Sequence, residues 1–141
     1  MKIRPYLTFN GACADAIDLY KRAFQTDVLQ IMRFSDLPPQ PEFQIPDVYK
    51  SRIIQATLKM GDDFIRLSDC GPGHELNDQD TEKLSIAVDA SVAIVRQAFT
   101  ILAEEGTVGI PLAEKFYSPC AGVVFDKFGV MWNLVGQKDE W

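Results

Sequence analysis

Few residues of this chain can do acid–base, nucleophilic or metal chemistry. Its three cysteines, Cys13, Cys70 and Cys120, are odd in number and far apart in sequence. That excludes a C-x-x-C metal or redox pair and a disulfide framework. His74 is the single histidine, so a metal site built from several imidazoles is impossible. It sits in a Gly/Pro loop, and no carboxylate or nucleophile can be placed beside it. Cys120 follows Pro119. Without a base to pair with, it reads as a buried thiol rather than a nucleophile. Gly71-Pro72-Gly73 follows a strand but lacks a third glycine, and no helix comes after it, so it is not a phosphate loop. What remains is hydrogen-bonding chemistry. Arg66 and Lys83 are cations; Gln55, Thr57, Ser68 and Asn133 are neutral donors and acceptors. Such a set suits a small organic anion. Each member also has a plainer role: Arg66 paired with a surface carboxylate, Lys83 solvated at a strand start, Gln55 and Asn133 as satisfied polar core groups.

These residues need elements to position them, and the chain reads as two copies of one pattern. The first copy opens with a strand over Ile3–Asn10, broken by Gly11. Ala12–Phe24 is helical, with Ala16, Ile17, Tyr20, Ala23 and Phe24 recurring at spacings of three and four. Asp27–Phe34 is a second strand. Ser35–Lys50, with Pro38, Pro39, Pro41 and Pro46, is a long loop: a lid or an ordered surface excursion. Ile53–Met60 and Asp63–Ser68 form a hairpin about a Gly61-Asp62 turn. The polar stretch Asp69–Thr81 links the halves. The second copy has a strand over Lys83–Asp89 and a helix over Ser91–Glu105, capped by Ser91 or Asp89 and stopped by Gly106. Strands over Val108–Ala113, Tyr117–Phe125 and Val130–Val135 follow, with Asp126-Lys127-Phe128-Gly129 as a type I turn. Each half is strand, helix, strand, strand, strand. A repeat of ~70 residues in this pattern predicts an α+β domain of two matching sheets.

Strand alternation sorts the side chains. With a two-residue turn, Gln55, Thr57 and Lys59 lie opposite Ser68, Arg66 and Phe64 on one face. Leu84, Ile86 and Val88 share a face, and Lys83, Ser85 and Ala87 take the other. Met131, Asn133 and Val135 alternate with Trp132, which packs into the core.

Composition bounds the class. The chain has 141 residues, 47% hydrophobic and 24% charged, which is one ordinary globular domain. Its net charge of −6 repels phosphate backbones, so a nucleic-acid partner is not expected. No apolar run approaches the ~20 residues of a membrane span, and Met1–Tyr6 lacks a signal peptide's apolar stretch. The expected location is cytoplasmic.

The ordered set Pro5-Tyr6-Leu7-Thr8-Phe9-Asn10-Gly11, Ala16-Ile17-Asp18-Leu19-Tyr20, Ala23-Phe24, Leu67-Ser68-Asp69 and Phe125-Asp126-Lys127-Phe128-Gly129-Val130-Met131-Trp132 resembles the PhnB-like branch of the glyoxalase/bleomycin-resistance/extradiol-dioxygenase (vicinal oxygen chelate) superfamily. The resemblance implies one domain of two βαβββ modules, about 3–69 and 83–136, joined by a linker of about 70–82. Their mixed sheets curl into a cup with helices outside and a small ligand inside, and the chains pair as homodimers. Metal-dependent members place one ligand on each of four strands. Matched to this chain, those positions fall on Pro5, Arg66, Lys83 and Asn133: no strong donor and two cations, so neither a metal nor another cofactor is expected. Some relatives have His where this chain has Gln55. Others are labelled 3-demethylubiquinone 3-methyltransferases, but no glycine-rich cofactor loop supports that here. The cup lining expected from alternation is Arg66, Gln55, Lys83, Asn133, Thr57, Ser68, Phe9, Phe64 and Met131, with Pro5 and Leu7 completing an apolar wall. The first expectation is a metal-free protein binding a small, possibly anionic organic ligand. The alternatives are a superfamily enzyme (lyase, isomerase or dioxygenase) and a dimeric structural module with a vestigial cavity. A metal-free enzyme could use Arg66 to stabilise an enolate or oxyanion. The sequence does not decide whether the protein is an enzyme.

Overall fold

A computed structural model describes residues 2–38, 44–72 and 84–138. Residues 73–83, which hold most of the expected link with His74 and Lys83, lie outside the described residues, as does the middle of the expected loop at 39–43. The chain divides into two compact units: Met1–Lys21 with Thr26–Asn77, and Arg22–Gln25 with Asp78–Trp141.

In the first unit, β1 (Tyr6–Phe9) leads to α1 (Cys13–Phe24), β2 (Val28–Arg33), β3 (Ile53–Met60) and β4 (Asp63–Asp69). The sheet order is β1-β4-β3-β2. In the second, β5 (Ser85–Ser91) leads to α2 (Val92–Ala103), β6 (Thr107–Lys115), β7 (Ser118–Phe125) and β8 (Met131–Gln137). That sheet runs β5-β8-β7-β6. The two orders are the same permutation, and both contain one parallel pair, β1 with β4 and β5 with β8. The expected α+β pattern of two matching sheets is therefore present. No helix among the described residues is long and apolar enough to cross a membrane.

Local chemistry explains the elements. Gly61 has φ +62 in the two-residue β3–β4 turn, where a side chain would be strained. α1 buries Ala16, Ile17, Leu19, Tyr20 and Ala23, while Asp15, Asp18 and Arg22 stay exposed, so a helical stripe faces inward. α2 buries Val95, Ala98 and Leu102, and its N-cap is Ser91, whose Oγ accepts the Ile94 N–H at 3.3 Å. Ser91, not Asp89, fills that role. In the second unit Trp132 is fully buried, with its ring 5.2 Å from that of Phe24.

Two buried carboxylates brace the units. Asp69, 5% exposed, ends β4. Its Oδ1 accepts the Gly11 and Cys13 N–H groups at 2.8 and 3.0 Å, and its Oδ2 accepts the Ile53 N–H at 3.0 Å. One side chain thus joins the start of α1, the start of β3 and the end of β4. It also satisfies N–H groups that the first helical turn leaves open. Asp126, 4% exposed, does the same in its turn. Its Oδ1 accepts from the Phe128 and Val130 N–H groups, and its Oδ2 accepts the Trp132 Nε1–H at 2.9 Å.

Two expectations need correction. Gly106 is not the left-handed residue that stops α2. The helix ends at Ala103, and Glu105 takes φ 59. Gly106 is required for space instead: a Cβ there would sit 2.7 Å from the Leu102 carbonyl oxygen and closer still to that of Phe125. Phe9 does not share a face with Arg66. The parallel register pairs Tyr6 with Arg66 and Thr8 with Ser68, which leaves Leu7 and Phe9 on the face of Leu67 and Asp69. Phe9 is accordingly buried, at 7% exposure.

Candidate functional site

In the first unit the antiparallel register pairs Thr57 with Arg66 and Lys59 with Phe64. The next positions on that face are Gln55, which pairs with Met32, and Ser68, which pairs with Thr8. One row of side chains therefore crosses all four strands: Tyr6, Arg66, Thr57 and Gln30. Neighbours in the row are set by strands roughly 4.8 Å apart. The opposite face carries Ile65, Leu67, Ala56 and Leu58, all at most 3% exposed.

The face is polar and unspent. Arg66 is exposed, Gln55 and Thr57 are half-buried, and Ser68 is 7% exposed. Among the described residues, none of these four side chains has a hydrogen-bond or ion-pair partner. Phe64 is half-buried and lies under the Arg4 guanidinium, 4.7 Å from its ring centroid, while Arg4 reaches Asp63 at 3.6 Å. Arg4, Tyr6, Thr8, Gln30 and Met32 are neighbours that sequence reasoning missed. Their placement depends on how β1 and β2 pair with strands distant in sequence, and β2 carries two register breaks. No pattern within Ile3–Asn10 reveals that register.

In the second unit Met131, Asn133 and Val135 are half-buried and alternate with buried Trp132, Leu134 and Gly136. Asn133 pairs with Ala87 and Val123, and Met131 with Ser85 and Phe125. Asp89 pairs with Val135 and so brings one carboxylate to that face. The Asn133 side chain has no hydrogen-bond partner among the described residues.

The thiols do not form a reactive centre. Cys13, Cys70 and Cys120 are free and buried. Burial, reinforced by the nearby Asp69 carboxylate, pushes the Cys13 thiol up to about 12, so it stays protonated at neutral pH.

No family model matches the chain. Protein PA1353 of Pseudomonas aeruginosa is 30% identical, with 99% of each chain covered and a TM-score of 0.83. At that identity over that length the two chains belong to one family. Protein YjdN of Escherichia coli is 29% identical over 150 residues, 98% of each chain. The fosfomycin resistance protein FosX of Listeria monocytogenes, solved with Mn(II), shares 10% identity, with 99% of this chain and 94% of that one covered, at a TM-score of 0.64. That similarity, with the doubled βαβββ order, decides the architecture. This chain has the vicinal oxygen chelate fold.

The metal this fold often carries does not fit the donors here. Of the four matched positions, Arg66 is a cation and Asn133 a weak oxygen donor. Pro5 offers only its backbone carbonyl, which already accepts the Arg66 N–H at 3.0 Å. Lys83 lies outside the described residues. Among the described residues, no group of three or more His, Cys, Asp or Glu side chains gathers to hold an ion. On the matched face the described residues present Arg66, Thr57, Gln55 and Ser68, none of them a strong metal ligand.

Proposed function

We propose that the protein binds a small organic anion, without a metal, on the first sheet face around Arg66, Thr57, Gln55 and Ser68. The supporting observation is that these four side chains share one sheet face and have no side-chain partner among the described residues. Arg66 supplies the charge and a planar fork for a carboxylate or similar group. Thr57, Gln55 and Ser68 supply hydrogen bonds, and Tyr6 and Phe64 supply aromatic surface. Asn133 and Met131 extend the same role to the second sheet. The motifs from Pro5 to Trp132 support a place in the PhnB-like branch, and the resemblance supports a homodimer.

The test is a thermal-shift screen of small mono- and dicarboxylates, aliphatic and aromatic, on wild type and Arg66→Ala. A ligand at a hundredfold excess over its Kd should raise the wild-type Tm by about 5–10 °C, and Arg66→Ala should abolish the shift. No shift with any acid, or an equal shift in the variant, would sink the reading.

A further inference from the structure

The β6–β7 turn holds two residues, Phe116 and Tyr117, closed by the Lys115–Ser118 pair. Two aromatics are an unusual choice for such a turn, where Gly, Asn and Asp usually sit. Neither residue takes a positive φ, so backbone geometry does not ask for them. Neither serves the core: Phe116 is 102% exposed and Tyr117 56%. Their rings meet edge to face at 5.0 Å.

Beside them lies a cleft of about 290 Å³, lined also by Glu114, Lys115, Gln137 and Lys138. Its floor is built rather than loose. The buried Ser118 Oγ–H donates to the Gly136 carbonyl at 2.6 Å, and Oγ accepts the Cys120 N–H at 3.1 Å. Among the described residues, Lys115, Lys138 and Glu114 form no ion pair, and this described lining holds two cations and one carboxylate. Strand addition is disfavoured at this edge of the sheet. β6 has three register breaks and carries Pro111, features that blunt an edge.

We propose that this cleft is a second binding site, separate from the Arg66 face, for a small planar aromatic carboxylate. One of the Phe116 and Tyr117 rings would stack on its body, and the other, set at 83° to it, would meet its edge. The lysines would hold its acid group, and the Gln137 amide would add a hydrogen bond. The volume, about 290 Å³, lies just below the usual range of small-molecule pockets, roughly 300–1,000 Å³, which suits one or two fused rings and excludes a nucleotide.

The experiment titrates 2-naphthoate into the full chain labelled with nitrogen-15 and follows amide shifts, with neutral 2-naphthamide as control. Saturable shifts should centre on Lys115–Ser118 and Gly136–Lys138. Phe116→Ala and Lys138→Gln should each weaken binding at least fivefold, and both are exposed positions that leave the fold intact. Arg66→Ala should change nothing here, so this site and the Arg66 face fail independently. Absent shifts, shifts confined to β3 and β4, equal binding of the amide, or indifference to both variants would overturn the assignment.

Discussion

The Asp69 carboxylate accepts the Cys13 N–H at 3.0 Å across 56 positions of sequence. The same carboxylate holds Gly11 and Ile53. α1 is therefore capped from a strand end far away in sequence, while α2 is capped by its own Ser91. Removing Asp69 orphans three backbone donors. Each buried orphan costs about 1–3 kcal/mol, and the less buried ones recover water. Asp69→Ala should lose about 3–4 kcal/mol in urea denaturation. Asp69→Asn should also destabilise, because an amide nitrogen would then face an N–H. A loss below about 1 kcal/mol for the alanine variant would refute the brace.

The second brace can be tested by coupling. Trp132→Phe removes the indole donor to Asp126, and Asp126→Ala removes the acceptor along with the turn bonds. A double-mutant cycle should return a coupling of about 1–2 kcal/mol. Additive losses would mean the indole bond contributes nothing.

Cys13 sets an alkaline limit. Its thiol is raised from 9.0 to about 12 in the folded chain. Between those values the unfolded thiol ionises and the folded one does not, so the unfolded state holds fewer protons. Stability from this group is intact below about pH 9 and declines as pH rises towards 12. Cys13→Ala should flatten stability against pH above 9 relative to wild type; parallel profiles would contradict it. In native protein at neutral pH, an aromatic disulfide reagent should label the buried thiols only after denaturant is added.

Two adjacent positions should respond in opposite directions. Glu105→Gly relieves φ 59 and should stabilise by about 0.5–1 kcal/mol. Gly106→Ala drives a Cβ into two backbone carbonyls and should cost about 2 kcal/mol or more. Equal effects in chemical denaturation would overturn the distinction.

The Arg66 side chain has no partner among the described residues. Arg66→Ala should therefore change ligand-free stability by no more than about 0.5 kcal/mol. A larger loss would give Arg66 a structural role and weaken the binding proposal.

Local patterns in the sequence determined a good deal. Period-two alternation and the Gly61-Asp62 turn placed Thr57 opposite Arg66 and Lys59 opposite Phe64, because a two-residue hairpin leaves the register no freedom. The Asp126–Gly129 turn was legible because its bonded partners lie within four positions, and the burial of Trp132 followed from its alternation with Met131 and Asn133. The lack of strong metal donors at Pro5, Arg66, Lys83 and Asn133 was read by matching those positions to the family that the sequence resembles. Tertiary structure decided what non-local pairing controls. The parallel register of β1 on β4 put Tyr6 on the open face and Phe9 under it, and nothing within four residues of strand specifies that choice. The same distance hid the role of Asp69. A carboxylate at a strand end reads as solvated until the fold brings the start of α1 and the start of β3 to its two oxygens, and their open N–H groups make its burial favourable.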